Sequence, residues 1–254
     1  MIRSPVMLIA LAITATVAIW GLIDISGLAA FARTSTVTAF ESRGWFIMLS
    51  VTAELVVCLW LATSRFGAIK LGHDDDEPEF STVSWLTMLF AAGMGVGLLF
   101  FGAAEPMTHF LTFRSYVDAY QAPRAALLFT DFHWGLHAWG IYGITALVIA
   151  YFSFRRGCAQ LVSAPIRYMF GERGWPRLLG AVCDVMAIVA IAMGLAGSVA
   201  MGVYQVQSGV DALFGWERSG TATTTVIFVA LCLAFLCPLT VDLGKGMARL
   251  SNVA

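Results

Sequence analysis

The sequence predicts an all-α membrane protein that crosses the bilayer several times, and three observations carry that prediction. Of its 254 residues, 59% are hydrophobic and 12% charged, with a mean hydropathy of +0.81, outside what a soluble domain of this length carries. Six apolar stretches approach or exceed the roughly 20 residues a helix needs to cross the hydrocarbon core. Lysine and arginine are also divided unevenly between alternate loops, as orientation in a membrane requires.

The expected spans are 6–25, 44–63, 83–104, 125–153, 181–204 and 223–240. The first has Arg3 before it and Ala30-Phe31-Ala32 after it, like a secretory signal, but its apolar run is too long and five more spans follow. The second encloses Glu54, an intramembrane acid that calls for a pairing neighbour. A loop with the acidic run Asp74-Asp75-Asp76-Glu77 leads to EFST, where Ser81 or Thr82 can cap the third helix. Glu105-Pro106 closes that third span in this reading. The fourth loop is broken by Pro165, Gly171, Gly174 and Pro176 and lies at the interface, with Tyr168 and Trp175 as anchors. After Pro238 the chain turns polar and ends where a seventh span would start.

Ten of the fifteen basic residues fall in the N-terminal tail (Arg3), the second loop (Arg65, Lys70), the fourth loop (Arg155, Arg156, Arg167, Arg173, Arg177) and the C-terminal tail (Lys245, Arg249). The other five, Arg33, Arg43, Arg114, Arg124 and Arg218, fall in the odd loops. Both termini are therefore expected in the cytoplasm. Cys58, Cys158, Cys183, Cys232 and Cys237 form no CxxC pair, which implies neither a metal site nor a disulfide frame. A net charge of -1 gives no field for nucleic acid. No nucleophile with a base, metal cluster or nucleotide loop stands out, so the chain is not expected to be an enzyme or to hold a cofactor.

The stretch WGLHAWGIY (134–142) places two tryptophans and a tyrosine well inside the fourth span. On a continuous helix at about 100° per residue, Trp134, Trp139 and Tyr142 share one side, with Gly135 and Ala138 between them. Small residues between aromatic walls leave a recess for a weakly hydrated cation, above all a quaternary ammonium; the same rings could instead be packing residues or an interfacial belt. Asp131, one turn earlier, either neutralises such a cation, carries a proton, or stands in interfacial water. His133 and His137 face the other way and suit helix-to-helix hydrogen bonds better than a metal. In the third span, Gly93 and Gly97 form a GxxxG face, but Gly95 lies on another side. Alternating glycines weaken a helix by about 1 kcal/mol each, which favours local unwinding that exposes backbone groups in mid-membrane.

Four stretches, GHDDDEPEFSTVSW (72–85), AAGMGVGLLFFGAAEP (91–106), FHWGLHAWGIY (132–142) and GKGMARLSN (244–252), closely resemble the betaine/carnitine/choline transporter family, in order and over nearly the whole chain. The resemblance implies a LeuT-like core of two inverted five-helix repeats within twelve spans. It also implies transport of quaternary ammonium osmolytes across the cytoplasmic (inner) membrane, by sodium or proton coupling or by exchange. It makes Trp134, Trp139 and Tyr142 an aromatic box, with Gly93, Gly95 and Gly97 as an unwound substrate-binding stretch. Backbone carbonyls near Ala91 and Met94 then serve a sodium ion. Where the family usually has a threonine this chain has Ile191, which weakens one sodium site.

The chain accordingly reads as a single membrane domain, 1–254, representing the N-terminal half. Residues 1–82 hold two peripheral spans and a loop, and 83–254 an incomplete first repeat. Expected partners are a quaternary ammonium molecule, the bilayer, and a homotrimer or a complementary C-terminal half. A fragment that is inactive or merely associates with a longer relative is the alternative.

Overall fold

Ser4 opens the first helix, α1 (Pro5–Ile23): its Oγ accepts the Met7 amide at 3.2 Å, and Pro5 takes a position where its missing N–H costs nothing. The computed structural model describes residues 4–93, 95–118, 120–217 and 219–236. It divides into two units, Met1–Asp76 with Asp131–Met193, and Glu77–Thr130 with Gly194–Ala254.

In the first unit, Asp24 ends α1 and starts α2 (Ile25–Thr63), its carboxylate accepting the Gly27 amide at 2.8 Å and the Ser26 hydroxyl at 3.0 Å. The turn is tight enough to set Trp20 against Phe31, with ring centroids 5.3 Å apart. A loop was expected over 26–43, and α2 instead runs 39 residues without interruption, so Arg33 and Arg43 are helical. At 1.5 Å per residue that is about 58 Å, against a hydrocarbon core of about 30 Å. Hydropathy marks how much of a helix lies in lipid, not where it ends, and nothing between 26 and 43 breaks one. The helix hydroxyls are satisfied locally: Ser50 and Thr52 donate to the Phe46 and Met48 carbonyls, both at 2.8 Å.

Helix α6 (Leu136–Ala150) packs closely on α2 through glycine. Gly140 is buried, and a Cβ there would come within 3.3 Å of the Leu55 Cα; one at Gly143 would touch Cys58 Sγ at 3.7 Å. Such small-residue faces let backbones approach in lipid, where apolar burial gives no drive to associate. Glu54 is half-buried on α2, next to Leu55. A π-turn, Tyr151–Arg155, ends α6. From it Arg155 reaches back to the second loop, donating to the Gly72 carbonyl at 2.8 Å and to Asp74 Oδ1 at 2.6 Å. Lys70 Nζ donates to the Asp74 carbonyl at 2.6 Å, so the loop is tied at both ends. The guanidinium of Arg155 holds the Asp74 carboxyl below its usual range.

The segment of the fourth loop expected at the interface folds as a short helix, α7 (Ala164–Phe170), ended by Gly171 at φ 87°; Gly174 at φ 72° turns the chain into α8 (Trp175–Phe214). Asp184 on α8, 4% exposed, holds α7 in place. It accepts from the Ser163 amide at 3.0 Å, the Ser163 hydroxyl at 2.7 Å and Arg167 Nη2 at 3.2 Å. Gly180 permits this approach, since a Cβ there would lie 3.0 Å from Ser163 Cβ.

The second unit holds α3 (Thr82–Gly93), capped by Ser81 as expected, through a 3.2 Å bond from the Ser84 amide to its Oγ. Next comes α4 (Val96–Phe113), which runs through Pro106 where the sequence suggested an end. Proline removes one helical bond, and membrane helices tolerate that. On α5 (Gln121–Trp134), Phe129 meets Phe113 at 4.9 Å between ring centroids and His109 at 5.9 Å. At the far end of α8, Gln207 Nε2 donates to Ser219 Oγ at 3.0 Å, and the Thr224 hydroxyl to Gln207 Oε1 at 2.9 Å, fixing the turn into α9 (Thr221–Leu236).

The protein is thus all-helical among the described residues. Pro5–Ile23, Ile25–Thr63, Gln121–Arg155 and Trp175–Phe214 are long and apolar enough to cross a membrane, and α9 is a shorter apolar helix. The third expected span is split into α3 and α4. The expected end of the sixth, 237–240, and the polar tail after it lie outside the described residues. Large apolar side chains stand exposed, Leu22 at 88% and Leu213 at 84% among them, while the buried apolar set is mostly alanine. That reverses the soluble pattern and fits a chain whose solvent is lipid. Cys58, Cys158, Cys183 and Cys232 are free thiols, and Cys237 lies outside the described residues.

Candidate substrate-binding site

The predicted weakness of the third span is a break. Helix α3 stops at Gly93 and α4 starts at Val96, with Gly95 extended at φ −72°, ψ 177°. Gly93 and Gly97 therefore belong to different helices, and the GxxxG reading as one packing face does not hold. No side chain caps the α4 start, which leaves the first-turn amides there to other acceptors. Ala91 lies in the last turn of α3, and Met94 lies outside the described residues.

A second break, not foreseen, falls in the aromatic stretch itself. Helix α5 ends at Trp134 and α6 starts at Leu136, with Gly135 extended at φ −88°, ψ −153°. A Cβ on Gly135 would sit 2.5 Å from the Asp131 carbonyl oxygen, so the bend requires glycine. The helical wheel drawn from Trp134 to Tyr142 therefore does not apply across Gly135, because the 100° step is lost there. What survives is local. Trp139 and Tyr142, three residues apart on α6, stand with ring centroids 5.7 Å apart at 44°. They are 50% and 70% exposed, while Gly140 and Gly143, each one residue on, turn toward α2. The glycine face holds α6 in place and leaves the ring face open.

Trp134 is joined to this pair through its backbone. Trp139 Nε1 donates to the Trp134 carbonyl at 3.1 Å. Asp131, in the last turn of α5, is exposed. His133 and His137 fall on opposite sides of the break, and the Phe132 ring contacts both, with centroids at 6.2 and 4.7 Å. Sequence reasoning missed the break because it read Gly135 as a small spacer between the rings on one continuous helix. A second glycine beside a box of rings was the available hint.

Comparison with known proteins gives the family. The family profile of the betaine/carnitine/choline transporters (BCCT) matches residues 5–254. The chain is 40% identical over 252 residues to the glycine betaine transporter OpuD of Bacillus subtilis, covering 98% of this chain and 49% of that protein. It is 35% identical to the betaine/ectoine transporter LcoP of Corynebacterium glutamicum, over 92% of this chain and 38% of that one. A glycine betaine transporter of Acinetobacter baylyi is 38% identical over 84% of this chain and 32% of its own. The chain spans half or less of the length of these relatives.

Proposed function

The chain belongs to the betaine/carnitine/choline transporter family, and on that premise we propose that it acts in secondary transport of a quaternary ammonium osmolyte across the cytoplasmic membrane. The observation that carries this reading is the open Trp139–Tyr142 pair beside the Gly135 break, to which the Trp134 carbonyl is tied. A methylated ammonium is weakly hydrated and loses little on leaving water, and each desolvated ring face returns about 2 kcal/mol. A protonated primary amine would lose far more hydration for the same contact.

We assign ligand contacts to the backbone at Gly93, Gly95 and Gly97, and contacts to a coupling sodium ion to the carbonyls of Ala91 and Met94, with proton coupling through Asp131 as the competing scheme. The division of Lys and Arg supports a cytoplasmic N-terminus. Residues 1–82 act as peripheral spans and 83–254 as part of one repeat. Relatives about twice as long support a working unit completed by a second half, since alternating access rocks one repeat against another; a homotrimer is the other partner, implied by the family resemblance alone. The same length difference supports a second reading, a fragment that is inactive or only associates with a longer relative.

Radiolabelled betaine and choline uptake distinguishes them, in a transporter-deficient bacterium expressing the chain alone and then with a segment matching the second half of its relatives. Uptake only with both segments supports the transporter. No uptake in either case, with both segments in the membrane, leaves the fragment. In the active pair, Trp139→Ala raises KM about thirtyfold, the equivalent of one desolvated cation–π contact. An unchanged KM would sink the aromatic site.

A further inference from the structure

Away from the aromatic face, the first unit contains a cavity of about 660 Å³. Its walls are the last turns of α2, the 3₁₀ turn Arg65–Ala68 with the chain after it, and the end of α6 with its π-turn. Apart from the Cys58 thiol and the Tyr151 hydroxyl, the lining side chains are aliphatic or aromatic, among them Trp60, Phe66 and Leu147. The Phe66 and Tyr151 faces are already covered by guanidiniums and so are closed to an onium cation, whereas a hydrocarbon chain fits the remaining apolar walls.

The rim is different. The Arg65 guanidinium lies 5.2 Å over the Phe66 ring, and that of Arg156 lies 5.3 Å over the Tyr151 ring; both rings line the cavity. Two other cations nearby are committed, Arg155 to Asp74 and Lys70 to main-chain carbonyls. Neither Arg65 nor Arg156 has a carboxylate partner among the described residues. Two exposed guanidiniums at the mouth of an apolar cavity, on loops that carry seven of the fifteen basic residues, complement an anionic headgroup joined to a buried chain.

We propose that this cavity binds an anionic glycerophospholipid of the phosphatidylglycerol class, an acyl chain between α2 and α6 and its phosphate on Arg65 and Arg156. The site is separate from the Trp139–Tyr142 face and does not depend on transport.

The test is native mass spectrometry of the purified chain, alone and with the second-half segment, offered equal amounts of phosphatidylglycerol and phosphatidylcholine with identical acyl chains. Phosphatidylglycerol is retained about tenfold over phosphatidylcholine. The double substitution Arg65→Gln/Arg156→Gln abolishes the preference, and Leu147→Trp, which fills the cavity and leaves the arginines, lowers retention of both lipids. Arg114→Gln, at the end of α4, changes neither. Equal retention of the two lipids, a preference that survives the double substitution, or retention unaffected by Leu147→Trp would overturn the proposal. So would loss of the signal once the second half is bound, or displacement by palmitate at equal concentration, which would identify a fatty-acid site. If the double variant loses helicity by circular dichroism, Leu147→Trp alone decides.

Discussion

Replacing Asp184 with alanine tests whether a single carboxylate holds α7 against α8. Three donors converge on it, the Ser163 amide at 3.0 Å, the Ser163 hydroxyl at 2.7 Å and Arg167 Nη2 at 3.2 Å. Hydrogen bonds to a charged group contribute about 1.5 kcal/mol or more each, and breaking a buried pair costs about 3–5 kcal/mol. The Arg167 side chain is 31% exposed, so water screens its share and the lower end applies, about 3 kcal/mol. Opening of α7 then becomes more frequent by about two orders of magnitude. Limited trypsin digestion in detergent reads this directly, because the bond after Arg167 lies inside α7 and is cleaved only when the helix opens. Asp184→Ala therefore speeds that cleavage about a hundredfold, and Asp184→Asn, which keeps the acceptor shape without the charge, about tenfold. A rate for Asp184→Ala within about threefold of the parent would refute the reasoning.

Three other outcomes follow from particular geometry. Gly135→Ala forces a Cβ against the Asp131 carbonyl oxygen, a backbone atom that cannot swing away, so betaine uptake by the completed transporter falls at least about tenfold while membrane insertion holds; full uptake would show that the bend is not needed. The Asp74–Arg155 tether depends on pH: the folded pKa lies below the ordinary 3.8, so its stabilisation is complete above that value and is lost as pH falls through the lower one. Hydrogen exchange of the loop amides around Lys70, corrected for the intrinsic pH dependence of exchange, keeps its protection from pH 7 down to the ordinary 3.8 and loses it only below, while Asp74→Asn loses it already at neutral pH; protection that fades well above 3.8 would reverse the sign. Asp131→Asn shifts the pH dependence of uptake if its carboxylate handles protons and leaves the profile in place if sodium drives the cycle.

The membrane-spanning character, the Ser81 cap and the break near Gly95 were legible in the sequence because each rests on local chemistry: apolar runs, a hydroxyl before a helix, glycines in alternation. The continuity of α2 past residue 43 was not, since polar residues in a helix outside lipid look like a loop to a hydropathy count. Pro106 misled for a related reason, because one missing hydrogen bond bends a membrane helix without ending it. Asp184 could not be read at all, as its donors lie 17 and 21 residues away and only the folded turn at Gly171 and Gly174 brings them back. In the aromatic stretch the residue types were legible and the bearing between them was not. One extended glycine resets the angle of everything after it.

If Trp139 binds substrate as proposed above, its bond to the Trp134 carbonyl also bears on substrate choice. An indole has a single polar hydrogen, and here it is already spent within the protein. Trp139 can therefore offer a ligand only its flat, electron-rich surface, which senses a methylated onium centre and is blind to whatever the rest of the molecule carries. A carboxylate tail, an alcohol or a longer acyloxy arm would all look alike from this ring, and so would a sulfonium in place of nitrogen. On that proposal, discrimination among such compounds falls to other groups, and a site built on this ring favours breadth over selectivity.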